Sequence, residues 1–426
     1  MMSTGLQRVA TRARKSRAEV FTSLNKYLTR DLLREGYGAL KKGKAPGLDG
    51  ASVESYGECL EENLESLLSR AKSGSYKAPP VKRAYIKKGD GTYRGLGIPT
   101  VEDKVLQKAV GWIMESIYEE DFYDFSYGFR RGKSQHQAVQ RVWDETMKLG
   151  GCWLLDVDIR GYFDSVDHGK LREVLSGRMR DGVLKRLVDK WLKAGVTEEG
   201  QWRAGTVGTP QGGVISPLLS NIFLHEVVDQ WYVGMLTPKL YGRSFMVRYA
   251  DDFVMGFEDE RDARRVKEVL GKRMEKYGLS LHPEKTKLVD FRRPKGTGGK
   301  RDTFNFLGFT HYWGKSKRGN KVVRRKTSSK SMSKSLGNIR EWCKAHRHDR
   351  LWYQQNKLKE KLQGHYNYFG IMQNMQSLQS YYFRVKEIWK YWLGRRGNKG
   401  KKTWEQMDDL LRVFPLPPPK IKHSIM

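Results

Sequence analysis

Cysteine is scarce in this 426-residue chain. The three present, Cys59, Cys152 and Cys343, lie far apart and form no Cys-x-x-Cys pair, which argues against a disulfide framework and suggests no zinc knuckle. Long hydrophobic runs are missing too. No uninterrupted apolar stretch reaches the ~18 residues of a spanning helix, and the basic N-terminus has no apolar signal-peptide core. These absences predict a soluble protein of a reducing, bacterial-type cytoplasm, without a membrane partner. Acidic residues are in deficit. Against 48 Asp+Glu stand 80 Lys+Arg, a formal net charge of +32. Self-repulsion on that scale is relieved by a polyanion, and nucleic acid phosphate is the partner it points to. The excess is uneven: residues 292–350 hold 18 Lys+Arg against 3 Asp+Glu, among scattered aromatics. That stretch reads as a strand-binding face.

What is present suffices for two or three domains with at least one large core, since 38% of residues are hydrophobic. Residues 1–45 are basic and helix-prone, Thr29 and Asp31 opening a helix with Leu32, Leu33 and Leu40. Pro46-Gly47-Leu48-Asp49-Gly50 interrupts it as a loop. Tyr85 and Ile86 read as a strand turning at Gly89-Asp90-Gly91. Helical spacing follows at Val105, Ala109, Trp112, Ile113 and Ile117, over 101–118. A mixed α/β region continues to about Phe309. Beyond it the pattern is helical, with Leu358, Leu362, Tyr366 and Phe369 on one face and Leu378, Tyr382, Val385, Trp389 and Trp392 on another. Pro415 to Pro419 cannot continue a helix.

Two segments carry acids in unusual places. Read as a strand, 153–159 puts Trp153, Leu155, Val157 and Ile159 on one face and Leu154, Asp156 and Asp158 on the other. In 245–255, two apolar β-like runs flank Asp251 and Asp252, as in a hairpin with acids at its tip. Adjacent carboxylates in apolar surroundings repel one another, and a divalent cation resolves the conflict. Phosphoryl transfer on two Mg²⁺ ions needs such acids, because Mg²⁺ takes a few carboxylates together with substrate phosphates and water. Between the segments, Gly208-Thr-Pro-Gln-Gly-Gly-Val-Ile-Ser-Pro-Leu218 reads as a tight loop, with Ser216 capping a helix that runs to about Trp231.

Tyr249-Ala-Asp-Asp252 resembles the YxDD box of reverse transcriptases, and Asp158-Ile-Arg-Gly-Tyr-Phe-Asp164 resembles their first metal-binding motif. The resemblance makes Asp158, Asp251 and Asp252 the catalytic metal carboxylates, with the Ile159 carbonyl as a further ligand for two Mg²⁺ ions, Mn²⁺ being able to substitute. It leaves Asp156 and Asp164 out. Phe163 falls where the family places a ring under the incoming sugar, disfavouring a 2′-hydroxyl and so selecting dNTPs. Gln211 matches a glutamine that contacts the nucleotide. Lys88 and Arg94, with Arg83 nearby, resemble cations that grip its phosphates, although Gly95 stands where the usual Arg-Pro-Leu-Gly-Ile-Pro has proline. Lys285 matches a lysine near the leaving pyrophosphate, as a general acid or a surface residue. Phe306-Leu307-Gly308 resembles the primer grip, or is plain core.

The resemblance narrows to group II intron reverse transcriptase/maturases. Lys41-Lys-Gly-Lys-Ala-Pro-Gly-Leu-Asp-Gly50, Arg94–Thr100 and Ser126–Ser134 resemble that group, as do 362–370 and 414–417 in its thumb, domain X. It implies an α/β (α+β) right hand: residues 1–80 an N-terminal extension and start of the fingers, 81–310 fingers and palm, and 311–426 a basic linker and helical thumb. The implied partners are an RNA template, a DNA primer, dNTPs and structured intron RNA. Lys41, Lys42, Lys44, Arg130, Arg324, Arg325 and Lys326 are candidate RNA contacts, and 292–350 serves the intron or clamps template and primer. Past the thumb the sequence carries neither a DNA-binding domain nor an HNH endonuclease, so intron mobility would draw its primer from elsewhere, such as a replication fork. A stand-alone polymerase of repair or phage defence, and a non-catalytic splicing factor, are the competing readings. The three intact acids argue against the last.

Overall fold

Apolar residues three and four apart from Val101 onward build the central helix of a computed structural model that describes residues 4–87, 93–198, 201–203, 208, 212–294, 302–397 and 402–424. In chain order the first elements are α1 (Thr4–Lys15), α2 (Arg30–Gly38), α3 (Val53–Tyr56), α4 (Leu60–Ser73), β1 (Val81–Lys87), β2 (Tyr93–Ile98), α5 (Val101–Asp121) and α6 (Gln135–Lys148). Next come β3 (Gly151–Asp158), α7 (Tyr162–Ser165), α8 (His168–Ser176), α9 (Gly182–Lys193), β4 (Val196–Glu198), β5 (Gln201–Arg203), α10 (Ser216–Leu224), β6 (Ser244–Tyr249), β7 (Asp252–Phe257) and α11 (Glu260–Lys276). The last are β8 (Lys287–Arg292), β9 (Phe304–Phe306), β10 (Phe309–Lys315), β11 (Lys321–Thr327), α12 (Ser329–Ala345), α13 (Leu351–Phe369), α14 (Met375–Leu393) and α15 (Trp404–Val413). The class is mixed α+β. Among the described residues, no helix is long and apolar enough to cross a membrane.

The chain divides into two compact units, 1–138 with 155–288, and 139–154 with 289–426. In the first, α1 and α2 pack on α5, whose Val105, Ala109, Ile113 and Ile117 are buried and whose Trp112 is half-buried. Thr29 caps α2 by accepting the Leu32 N–H (3.2 Å), and Leu40 lies beyond the helix. β1 and β2 pair antiparallel in a sheet of order β2-β1-β4-β5; the expected turn at 89–91 lies outside the described residues. The acid-bearing strands sit in a second sheet of order β6-β7-β3-β8. Ser216 does not cap α10 as expected. Ile215 holds the cap position, and Ser216 is the first helical residue. Past Leu224 the helix widens into π-type turns over His225–Asp229 and Tyr232–Leu236.

In the second unit, β11-β10-β9 form a meander joined to the helices α12 to α14. The α13 face is buried as expected, while α14 buries Leu378, Tyr381, Val385, Ile388, Trp389 and Leu393. Tyr382 and Trp392 are only half-buried. The stripe is rotated by one residue because the helix turns 3.6 residues at a time.

Candidate active site

Two neighbouring, largely apolar strands end at carboxylates. β3 closes on Asp158, and β7, next to it in the sheet, opens on Asp252. β6 and β7 pair from Ser244↔Phe257 to Tyr249↔Asp252, so Ala250 and Asp251 are the two residues of a tight hairpin turn. Ala250 takes a φ of 57°, a left-handed conformation that an alanine holds only when its surroundings impose it.

Those surroundings are buried and polar. The Arg248 side chain is fully enclosed and donates to Asp229 Oδ1 (2.8 Å), Asn221 Oδ1 (3.0 Å) and the Ala250 carbonyl (3.1 Å). Burial alone would push Asp229 up, but the Arg248 charge and its hydrogen bonds, with His225 close by, hold its carboxyl below the ordinary range. Asn221 donates in turn to the Gly128 carbonyl (2.6 Å). The strip 125–128 runs beside β6, with Tyr127 N donating to Arg248 O (2.8 Å) and Arg248 N to Phe125 O (2.9 Å). Gly128 is obligatory, since a β carbon there would lie 2.3 Å from Ala250 N. The turn carrying Asp251 is thus gripped by β6, α10 and the 125–128 strip together.

Asp158 is held through its backbone. Its carbonyl accepts from His282 N (2.8 Å), Arg160 N donates to Ser280 O (2.9 Å), and Ile159 bridges Leu281. The carboxylate is 41% exposed, and Lys285 Nζ lies 3.7 Å from Oδ2. Such a solvated pair contributes little to stability. Asp156, two residues earlier, is pushed up to about 7 by burial and by the Asp158 charge, partly offset by Lys287. Among the described residues, no three His, Cys, Asp or Glu side chains form a ready-made cation cluster; the three acids stand instead at the end of β3, in the β6–β7 turn and at the start of β7. Their donor atoms are hard oxygens, the type that suits Mg²⁺.

Phe163 lies in the single turn α7, its ring 5.4 Å from that of Tyr162. Tyr162 is buried and donates to the Ser220 carbonyl (2.7 Å). Gly208 packs on this turn, since a β carbon there would meet Phe163 O at 2.8 Å, and Gly212 packs on β2, where one would meet Gly97 O at 2.2 Å. Gln211, between these two glycines in sequence, lies outside the described residues, as does Lys88. Arg94 stands on β2 opposite Ile86. Gly95 makes room for Arg83, whose guanidinium would lie 2.3 Å from any β carbon there. A second network holds the start of α10. Ile215 N donates to Gln107 Oε1 (3.2 Å) and Gln107 Nε2 to Asp103 Oδ2 (2.9 Å). Asp103 Oδ1 accepts from Tyr76 (2.5 Å) and Trp191 (2.7 Å).

Lys41, Lys42 and Lys44 are exposed on their loop. Arg130 is not on a surface: its side chain is 6% exposed, paired with Glu119 (2.9 Å) and donating to the carbonyls of Tyr123 and Ser126. In the second unit, strand alternation turns Arg325 inward to Gln140 (2.9 Å), while Lys326 is exposed and Arg324 half-exposed. Phe306 is buried, and Leu307 (φ 47°) and Gly308 (φ 80°) form the two-residue turn between β9 and β10. Tyr368 donates to Leu307 O (3.1 Å) and Ser328 N to Gly308 O (2.9 Å). The residues that sequence reasoning missed, Arg248, Asn221, Asp229 and Gly128, are second-rank in motif terms. Arg248 left a signal as a charge inside an apolar strand, and Gly128 lies within the 126–134 segment.

Residues 86–311 match the family model "Reverse transcriptase (RNA-dependent DNA polymerase)". The chain is 36% identical over 287 residues to "Group II intron-encoded protein LtrA" of Lactococcus lactis subsp. cremoris, covering 66% of this chain and 47% of that protein. It is 36% identical over 301 residues to "Protein YkfC" of Escherichia coli (strain K12), covering 63% and 76%. A more distant similarity, 27% over 145 residues, covering 34% and 18%, is to "Nuclear intron maturase 4, mitochondrial" of Arabidopsis thaliana. The chain spans about half the length of the group II intron-encoded relative it matches. With more than half of its residues inside the family model, and with relatives of this kind, the chain belongs to the reverse transcriptase (RNA-dependent DNA polymerase) family, on its group II intron side.

Proposed function

We propose that this protein extends a DNA primer along an RNA template, and that it also binds its own intron RNA to promote splicing and retrohoming. The observation that carries the first part is the neighbouring placement of Asp158 at the end of β3 and Asp251-Asp252 at the β6–β7 turn. In this reading residues 81–310 are fingers and palm, 1–80 the extension and start of the fingers, and 311–426 the linker and thumb. Asp158, Asp251, Asp252 and the Ile159 carbonyl would hold two Mg²⁺ ions, or Mn²⁺ in their place. Bound there, the metal supplies activation of the primer 3′-hydroxyl and neutralises charge on the leaving pyrophosphate. Phe163 closes the space that a 2′-hydroxyl would need. Gln211 contacts the incoming nucleotide, and Lys88 and Arg94 bind its phosphates. Lys285, beside Asp158, orients the leaving group or gives it a proton. Leu307 and Gly308 present a backbone turn to the primer end, with Phe306 as its buried anchor.

Asp251→Ala is expected to abolish Mg²⁺-dependent primer extension on RNA while RNA binding persists; undiminished extension would sink the metal assignment. The intron reading is supported by the relatives' names and by the exposed Lys41, Lys42 and Lys44. Purification from the native host with sequencing of the bound RNA tests it. One enriched structured intron is the expected result, and a diffuse mixture would favour a stand-alone polymerase.

A further inference from the structure

Beside the C-terminal half of α9 lies a cavity of about 560 Å³, open to solvent, that none of the catalytic candidates lines. Its size falls within the range of small-molecule sites. The walls contributed by Ala78, Pro80 and Ala194 are apolar, and Lys77, Arg186 and Lys193 stand exposed around them. The other charges of the cavity are already engaged. Lys190 donates to the carbonyls of Gly74 (2.6 Å) and Tyr76 (2.5 Å), fixing the 74–76 wall against α9, and Asp189 binds Arg172 (2.6 Å). Three cations therefore surround an apolar recess with no carboxylate assigned to them among the described residues. The lining thus carries an excess of positive charge, Lys77, Arg186, Lys190 and Lys193 against Asp189. A simple anion would leave the apolar wall wet, and an apolar ligand would leave the cations unused. A nucleotide satisfies both, because an unstacked base offers a flat apolar face and its phosphates offer the charge.

We propose that this cavity takes one nucleotide of a single-stranded RNA segment, base against Ala78, Pro80 and Ala194, phosphates on Lys77, Arg186 and Lys193. This rests on the reading that the chain handles RNA. The strand is favoured over a free nucleotide because a chain of net charge +32 holds a continuous polyanion more strongly than a small one.

The test uses the full chain and a short unstructured RNA carrying one 4-thiouridine, photocrosslinked and mapped by mass spectrometry. Crosslinks are expected in 76–80 and 186–194. Ala78→Leu narrows the recess without changing charge or adding a stacking face, and is expected to weaken RNA binding by about tenfold, the loss of one base contact. Replacing Lys77, Arg186 and Lys193 with alanine is expected to flatten the salt dependence by about two log–log units, at roughly 0.7 per lost contact on a single strand. Absence of crosslinks in both segments overturns the proposal. So does unaltered binding by Ala78→Leu with an unchanged melting temperature, which would reduce the cations to general attraction. Loss of the crosslinks in millimolar ATP, with bulk RNA binding intact, assigns the cavity to a free nucleotide and overturns the RNA strand. Primer extension by the wild-type protein separates this from the polymerase reading: absent extension sinks that reading alone, and absent crosslinks with extension intact sink only this one.

Discussion

Arg248 shows how one residue can set the geometry of a turn it does not belong to. Its guanidinium is sealed from solvent and divides its donors between Asp229, Asn221 and the carbonyl of Ala250. Removing the arginine strands a buried carboxylate as well as a turn carbonyl. Arg248→Met is therefore expected to cost about 3–5 kcal/mol, read as a lower urea midpoint. It should also reduce kcat for extension more than KM, because the damage falls on the acids and not on a nucleotide contact. A wild-type urea midpoint would contradict this account. At the same scale Gly95 explains itself: proline in that position would collide with the Arg83 guanidinium unless the arginine swung away.

At the scale of elements, β10 and β11 carry a conflict that the fold keeps. His311 faces Arg325 across the ladder, is fully buried, and stacks on Phe304 with ring centroids 4.6 Å apart. Neither ring nitrogen has a partner among the described residues. Burial and the Arg325 charge depress His311 from 6.5 to about 3. The folded chain therefore releases a proton that the unfolded chain keeps below about pH 6.5. Between about pH 6.5 and 3 the unfolded state binds more protons, so stability falls as pH falls through that window. His311→Phe keeps the stacked ring and removes both unpaired nitrogens. It is expected to raise the melting temperature and to flatten the acid limb, as scanning calorimetry across pH 4–7 would record. An unchanged limb would mean that His311 is not the group responsible. His365, on α13 and stacked on Tyr381 at 3.6 Å, is lowered to about 4 by burial and contributes in the same direction.

At the scale of the whole molecule, a net charge of +32 makes affinity for RNA a function of ionic strength before any specific contact is considered. Binding of a structured RNA is expected to weaken steeply with salt, in proportion to the phosphates neutralised. Reversing Lys41, Lys42 and Lys44 to glutamate should lower the log–log slope by roughly one unit per lysine and leave the melting temperature unchanged, since all three are exposed. Filter binding over a salt series checks both, and an unaltered slope would remove this loop from the RNA face. Arg130 and Arg325 are excluded from that experiment. They belong to the charge count but not to the surface, and their loss would be felt as instability.

The sequence by itself determined the charge, the alternation of 153–159 and the apolar runs of 245–255 that read as strands, and the acids they carry, because each is a local property of residue type and spacing. The helix stripes were legible in the same way, to within one residue on α14. Which strands lie side by side, and which cations turn inward, was decided only by tertiary structure. A period of two says that Arg324 and Arg325 face opposite ways but not which way is out. Nothing local announces that Asp229 lies beside Arg248, that Gly128 must yield to Ala250, or that Lys190 closes a wall while Lys77 and Lys193 stay exposed. Those outcomes depend on contacts between segments far apart in the chain, where burial, and not propensity, sets the energy.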